Sequence, residues 1–399
     1  MASRRLEYVK GSLDEIHLEK EDKMNISKLT AAVLIVFVIL SFWGQTFSQS
    51  KGSIKIGSLS ALTGVGSQMG QNQRDALVMV FDKVNAAGDI NGQKIELYIE
   101  DDQLQPTVAV NAAKKLVYKD DVLLIIGTPN SPTALAAMEV TMEAKVPQLA
   151  LGVAPKITQM NNPWIARIIP VDTVLGGHLA KFAVNEKKFK KLAVLHDSTD
   201  YGKGGMTSVV DALKKLNLSP ITIETFNNED KDFSSQLNKI KNSGADALII
   251  WGLHVQGAQI INQAKKLGLT MPILGSSGIL QGNFLDLAKD SAEGAYFVSY
   301  FSIDNPDPKV QAFVKEVRDR FKYDPTPVSA IAYELANLTV ATLKKTGPDR
   351  GKFMEEFKSM KDYVGVTGRV SGDPRGEMGR GGVILQIKGG KPITVWAAK

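Results

Sequence analysis

The chain has 399 residues, of which 44% are hydrophobic and 23% charged, a globular composition with room for two domains. Its net charge is +6, but basic and acidic residues are interleaved and form no basic block, so nucleic-acid binding is not expected. The sequence has no cysteine, which excludes disulfide bonds, thiolate zinc sites, cysteine nucleophiles and a lipid-modified cysteine.

An apolar run of about 15 residues occupies 29–43 and follows two lysines. Small residues come next, and Thr46 and Ser48 fit a cleavage site after Ser48. The pattern predicts a secretory signal and export to the periplasm. The alternative is an uncleaved membrane anchor, although a spanning helix needs about 20 apolar residues. Residues 1–23 are long for the start of a signal, so we expect Met24 to be the true initiator.

Strand-like and helical patterns alternate through nearly the whole chain after residue 53. Several strands, such as 122–126 and 247–251, are unbroken apolar runs, which is typical of parallel strands covered by helices on both faces. Two successive βα series predict an α/β fold with two doubly wound Rossmann-like lobes. The predicted strands are 54–59, 95–100, 122–127, 147–151, 164–169, 191–196, 221–226, 245–251 and 273–275.

The end of the chain has a different pattern, with a long helix over 327–345 and a hairpin over 383–397 that turns at Gly389-Gly390. No long linker separates the lobes, so short crossovers near 170–173, near 301–304 and before the hairpin are expected to join them. Several crossovers make a hinge, and hinged lobes close around a ligand. The predicted divisions are 1–48 (extension and signal peptide), 53–171 and 302–380 (lobe 1), and 172–301 and 381–399 (lobe 2).

Three stretches, at 84–117, 192–204 and 231–252, resemble the type I periplasmic solute-binding proteins of ABC importers, in their branched-chain amino acid (leucine-binding-protein-like) class. The resemblance extends over 53–399. It implies a monomer that captures a small-molecule solute between two lobes, without chemistry or cofactor, and delivers it to an ABC permease in the inner membrane. A periplasmic sensor that reports its ligand to a membrane receptor is the alternative.

Candidate ligand-binding residues of lobe 1 follow two predicted strands. A helix begins near Ser131 and Pro132, and serine before proline is typical of an N-cap. Ser131 either only caps this helix or binds a ligand carboxylate at the helix start, as the serine at this place does in the similar amino-acid binders. The resemblance also implies that the backbone near Gly152 lines the cleft. A hydroxyl expected two residues later is replaced by Ala154.

Lobe 2 departs further from the amino-acid binders. Tyr201 matches a tyrosine that packs on the ligand, but Ser277 and Leu253 stand where a glutamate and an aromatic residue are typical. Asp172 either substitutes in part for the glutamate or caps the helix that follows it. Met69, in the glycine-rich loop, is either an apolar ligand contact or a core residue.

The missing glutamate bears on the chemistry of the ligand. An ammonium group buried without a carboxylate loses its charge partner, at a cost of several kcal/mol. We therefore expect a ligand that keeps a carboxylate, or a similar acceptor group, but lacks a free α-amino group. Aromatic or aliphatic carboxylic acids fit this description, as does an amide, and a solute like a branched-chain amino acid is the alternative.

An enzymatic function is not expected. Gly64, Gly66 and Gly70 resemble a dinucleotide fingerprint, but their spacing is GxGxxxG, and the acid at Asp101 lies 31 residues past Gly70 instead of about 20. The sequence has no GxSxG elbow, and the consecutive residues 196–198, His-Asp-Ser, cannot converge as a triad. The four histidines show no metal-ligand spacing, so no metal site is expected.

Overall fold

The computed structural model describes residues 52–88, 90, 92–379 and 381–398. The predicted signal and the alternative start at Met24 lie outside the described residues. Among the residues that are described, no helix combines the length and apolar character needed to cross a membrane.

The strands predicted from the sequence are all present. Those that precede the predicted cleft are shorter than expected, because their last residues leave the sheet to form loops. The strands are β1 Ile54–Ser60, β2 Ile95–Asp101, β3 Leu124–Ile126, β4 Gln148–Leu149, β5 Ile165–Ala166, β6 Leu192–Asp197, β7 Thr222–Phe226, β8 Ala247–Trp251, β9 Ile273–Gly275, β10 Tyr296–Ser299, β11 Tyr363–Gly365, β12 Gly368–Val370, β13 Val383–Lys388 and β14 Lys391–Ala397.

Helices fill the connections between the strands. Two of them, Pro106–Lys114 and Asp172–Lys181, each continue into a five-residue π-helix. The helices are α1 Ser67–Ala87, α2 Pro106–Lys114, α3 Ser131–Glu143, α4 Lys156–Gln159, α5 Asp172–Lys181, α6 Asp200–Lys215, α7 Ser234–Asn242, α8 His254–Lys266, α9 Phe284–Ala288, α10 Pro308–Phe321, α11 Pro327–Thr346 and α12 Arg350–Ser359.

The first lobe is built on a parallel sheet with the strand order β2-β1-β3-β4-β5. Successive side chains point to opposite faces, so Ile56 and Ile126 pack with α1 and α11, whereas Leu59 and Ile125 pack with α2 and α3. Both faces of the sheet are therefore covered, which accounts for the unbroken apolar runs of its strands.

The second lobe has the strand order β14-β13-β10-β9-β8-β6-β7, in which β6 to β10 are parallel and the terminal hairpin is antiparallel. Val194 and Ile249 pack with α5 and α6 on one face, and Leu195 and Ile250 pack with α7 and α8 on the other. The predicted hairpin and its turn at 389–390 are confirmed. The α/β fold with two doubly wound lobes is confirmed as well.

The segment that holds α10 and α11 returns to the first lobe. Lys83 on α1 pairs with Glu316 on α10 at 2.6 Å, and the Asn72 side-chain amide on α1 donates to the Thr326 hydroxyl at 3.0 Å. The segment after β10 therefore packs against α1, a helix of the first lobe.

The glycine-rich loop after β1 is shaped by close packing. A Cβ added to Gly70 would lie 2.1 Å from the carbonyl oxygen of Ala61, so only glycine allows α1 to approach the strand end so closely. The Asp101 carboxylate at the end of β2 accepts from the Leu62 amide at 2.8 Å and ties the loop down. Gly70, the last glycine of the pattern that resembles a dinucleotide fingerprint, is therefore explained by the packing of α1 against the end of β1.

We predict that Gly70→Ala lowers the free energy of unfolding by about 2–3 kcal/mol, because the added methyl group displaces backbone. Gly177→Ala on α5 is the matched control, since nothing lies within 4 Å of an added Cβ there. It should stabilise the protein by about 0.5–1 kcal/mol. Urea unfolding measures both, and equal effects of the two substitutions would show that the close approach at Gly70 is not a constraint.

Candidate ligand-binding cleft

A cavity lies between the two lobes, at the carboxyl ends of both sheets. Its volume is about 30 Å³, room for one or two water molecules, so the lobes are closed on each other. Most of its wall comes from loops that follow a strand, and the rest comes from the first turns of helices. The lining residues are Met69, Pro129, Asn130, Ser131, Leu151, Val153, Ile169, Tyr201, Leu253, Ser277, Gly278, Gln281, Tyr300 and Val328.

Ser131 lies in the lobe 1 wall, but the expectation that it caps a helix is wrong. Helix α3 begins at Ser131 itself, and Asn130 is the N-cap, with its side-chain oxygen accepting from the Thr133 amide at 3.4 Å. The Ser131 hydroxyl instead accepts from the Ala154 amide at 3.1 Å. A serine oxygen that accepts one hydrogen bond still has its own hydrogen to donate, so this hydroxyl can serve a ligand.

Gly152 and Ala154 lie behind the cavity wall rather than in it. Their carbonyl oxygens accept from the Arg167 guanidinium at 3.0 and 2.8 Å. Leu151 and Val153, the alternate residues of the same stretch, line the cavity instead. Arg167 is fully buried, and this burial lowers its pKa to about 10, so it remains charged at neutral pH and fixes the loop.

Tyr201 supports and lines the lobe 2 wall. It is the second residue of α6, not a residue before the helix, and its hydroxyl oxygen accepts from the Gly278 amide at 3.1 Å. Burial is the main cause that raises the pKa of Tyr201 well above its usual value. Ser277 and Leu253 lie beside it, and Met69 reaches the cavity from lobe 1. The structure thus brings these four predicted residues and Ser131 to one cavity.

Asp172 does not line the cavity, and the expectation that it caps a helix is wrong. It is the first residue of α5, the N-cap position belongs to Val171, and no side chain caps this helix. The Asp172 carboxyl is fully buried, and neither oxygen has a hydrogen-bond partner among the described residues. Burial raises its pKa well above the usual value, Arg167 partly opposes the shift, and Asp197 adds to it.

The chemical character of the cavity is neutral. Its lining residues as described include no lysine, arginine, histidine, aspartate or glutamate. The polar groups are the amides of Asn130 and Gln281, the hydroxyls of Ser131 and Ser277, and two tyrosines. Of the lining residues that sequence reasoning missed, Gly278 and Gln281 follow β9, and Tyr300 follows the unpredicted strand β10. The others follow β3, β4 and β5 or lie on α11: they are Pro129, Asn130, Leu151, Val153, Ile169 and Val328.

Two contacts cross from one lobe to the other beside the cavity. The His254 ring nitrogen Nε2 lies 3.2 Å from the carbonyl oxygen of Val65, and the Lys156 ammonium lies 3.6 Å from the Asp200 carboxylate. Burial lowers the pKa of His254, which favours its neutral form. A neutral ring that carries its proton on Nε2 can donate to the Val65 carbonyl, so this contact between the lobes does not require a charged histidine.

Comparison with known proteins places the fold and the cleft in a family. The sequence model of a family described as "Periplasmic binding protein" matches residues 53–391. The leucine-, isoleucine-, valine-, threonine- and alanine-binding protein of Pseudomonas aeruginosa is 28% identical over 364 residues, which are 90% of this chain and 94% of that protein.

Two solved structures share the architecture. The leucine-binding protein LivK of Thermotoga maritima superposes with a TM-score of 0.82 at 25% identity, over 87% of this chain and 99% of that one. LivJ of Streptococcus pneumoniae, in complex with isoleucine, gives a TM-score of 0.80 at 26% identity, over 86% and 98%. The predicted family and fold class are confirmed.

We predict that Asp172→Asn stabilises the protein at neutral and alkaline pH but not at acidic pH. The folded protein holds the Asp172 proton more tightly than the unfolded chain does, so this group costs no stability below the unfolded pKa of about 4. The cost grows as the pH rises toward the raised folded pKa. The advantage of the variant should therefore increase by up to about 1.4 kcal/mol per pH unit.

Urea unfolding of both proteins between about pH 4 and pH 9 measures this advantage. Asp211→Asn is the matched control, because the Asp211 side chain is 58% exposed and remains in contact with solvent after folding. An advantage of Asp172→Asn that is constant with pH would contradict the raised pKa of the buried carboxyl.

Proposed function

The chain belongs to the periplasmic binding protein family, and we propose that it is the substrate-binding component of an ABC importer, which captures a small carboxylate-bearing solute and delivers it to a membrane permease. The observation that carries the proposal is the neutral cavity between the lobes, with the Ser131 hydroxyl in its wall. Amino acids, the ligands named for LivK, LivJ and the Pseudomonas aeruginosa protein, are themselves small carboxylates. Binding without chemistry is part of this proposal.

The carboxylate of the solute has a suitable environment in lobe 1. Helix α3 has 13 residues and begins at Ser131, so the positive end of its dipole lies at the cavity. The Ser131 hydroxyl adds a donor at the same point. A buried carboxylate needs such donors because it loses its hydration on closure.

The wall of the cavity offers no negative charge that could pair with an ammonium group of the solute. The described lining of the cavity has no carboxylate, and Asp172 lies outside it, with a pKa raised by burial. We therefore propose an aliphatic or aromatic carboxylic acid, with the corresponding amino acid bound more weakly. Five lining side chains around the cavity, Met69, Leu151, Val153, Ile169 and Leu253, provide an apolar surface for its carbon skeleton.

The proposal includes the location and organisation predicted from the sequence. Residues 1–48 would form the extension and the cleaved signal, and the mature monomer would act in the periplasm. Sheet membership supports a lobe boundary near 171, since β5 belongs to the first sheet and β6 to the second. It supports one near 301, since β10 of the second sheet ends at Ser299. The contacts of α10 and α11 with α1 support the return of the chain to lobe 1.

Leucine and 4-methylpentanoate are the matched pair that tests this ligand class, because they differ only in the α-amino group. We predict that the refolded, ligand-free protein binds 4-methylpentanoate at least about tenfold more tightly than leucine, the equivalent of one uncompensated charge contact of about 1.4 kcal/mol. Isothermal titration calorimetry measures both. Tight binding of leucine together with no binding of 4-methylpentanoate or benzoate would refute the proposed ligand class.

We also predict that Ser131→Ala weakens binding of 4-methylpentanoate by about 10- to 100-fold, because a hydrogen bond to a charged group contributes about 1.5–3 kcal/mol. Ser243→Ala is the control: its hydroxyl donates to the Ile240 carbonyl at 2.7 Å and does not line the cavity. Calorimetry on both variants, with thermal melts to establish folding, gives the comparison. Equal affinities of the two variants would remove Ser131 from the site.

A further inference from the structure

Gln281 occupies a special position in the wall of the cleft. It lies in the turn between β9 and α9, and its side chain is 4% exposed. On one side it lines the closed cavity, and on the other it lines a separate groove of about 270 Å³ that also involves Phe284, Phe301 and Pro327. Gln281 is thus the partition between the cavity and this outer groove.

The amide group of Gln281 is held in one orientation. Its nitrogen Nε2 donates to the Ser277 carbonyl at 3.1 Å, and the side chain also forms a hydrogen bond with the Tyr300 side chain. The side-chain oxygen Oε1 is buried and has no hydrogen-bond partner among the described residues. Because the nitrogen is engaged, the oxygen is the part of the amide that can serve a ligand.

A buried acceptor without a donor is costly, so nearly all such groups in proteins have a partner. A ligand in the cavity could supply that donor. The donor is best uncharged, since the described lining has no carboxylate to balance an ammonium group. A hydroxyl group meets both requirements: it donates one hydrogen bond and brings no charge.

We propose that Gln281 determines specificity by accepting a hydrogen bond from a hydroxyl group of the solute, so that the cleft prefers hydroxylated carboxylic acids to their unsubstituted parents. The inference rests on the proposed capture of a small carboxylate and names its chemical class. Ser131 in lobe 1 would bind the carboxylate, and Gln281 in lobe 2 would bind the hydroxyl. One solute would then hydrogen-bond to both lobes and stabilise their closure.

Calorimetry with two matched pairs of acids tests this specificity. The pairs are 2-hydroxy-4-methylpentanoate with 4-methylpentanoate, and 4-hydroxybenzoate with benzoate. We expect the wild-type protein to bind the hydroxylated member of at least one pair about tenfold more tightly, the effect of one buried hydrogen bond. Gln281→Leu, which removes the acceptor at similar volume, should reduce that ratio to about one, because the hydroxyl group of the acid then has no acceptor.

Gln259→Leu on α8 is the matched control, because its side-chain oxygen also has no described partner but it does not line the cavity. It should leave the ratio unchanged. Gln281→Glu is the second variant and keeps the test decisive if Gln281→Leu does not fold. A carboxylate at position 281 should repel the carboxylate of the solute, so the affinity for all four acids should fall. It should also pair with an ammonium group, so the affinity for leucine should rise relative to that for 4-methylpentanoate.

The outcomes separate this inference from the function on which it rests. A wild-type protein that binds the parent acids but shows no preference for either hydroxylated acid overturns the role of Gln281 alone. The same holds if Gln281→Leu keeps the preference, or if Gln281→Glu leaves the relative affinity for leucine unchanged. A wild-type protein that binds none of the acids overturns both the proposed function and the inference.

Discussion

A parallel sheet presents the carboxyl ends of all its strands along one edge, and in this chain the edges of two such sheets face each other. The loops after β3, β4 and β5 form one wall of the cavity, and those after β6, β8, β9 and β10 form the other. Because these loops carry the polar side chains, Ser131 and Gln281 meet across a small space although 150 residues separate them in sequence.

Hydrogen bonds from one buried residue behind the cavity, and from one in its wall, fix the positions of the loops. Arg167 binds two carbonyl oxygens of the loop after β4, and the Tyr201 hydroxyl accepts from the loop after β9. These contacts order both walls before a solute arrives, which reduces the entropy lost on binding. Asp172 lowers the stability of this region at neutral pH, because its carboxyl group is buried without a hydrogen-bond partner among the described residues. Burial also raises the pKa of this carboxyl group. Hydrogen bonds therefore hold the loops of both walls in place.

Local patterns in the sequence were sufficient to predict the βα order, the hairpin and the family. Strand β10 was missed because it depends on non-local pairing with β9 and β13. Ser131 was predicted to lie at the cleft because it follows a strand end, and Tyr201 because it matches a tyrosine of the similar amino-acid binders. Sequence could not show which residues of 151–154 face inward, since a one-residue change of register exchanges the two faces. Gln281 was missed because only the tertiary structure reveals its unpartnered oxygen.

The central claim is that the lobes open to admit a solute and close around it. Because the chain has no cysteine, Gln68→Cys on α1 and Glu229→Cys after β7 introduce one spin label on each lobe, both at exposed positions. Double electron–electron resonance then measures the distance between the labels. The account predicts a longer and broader distribution for the ligand-free protein, and a shorter, narrower one at saturating 4-methylpentanoate. An identical distribution with and without the bound acid would contradict closure of the two lobes as the basis of binding.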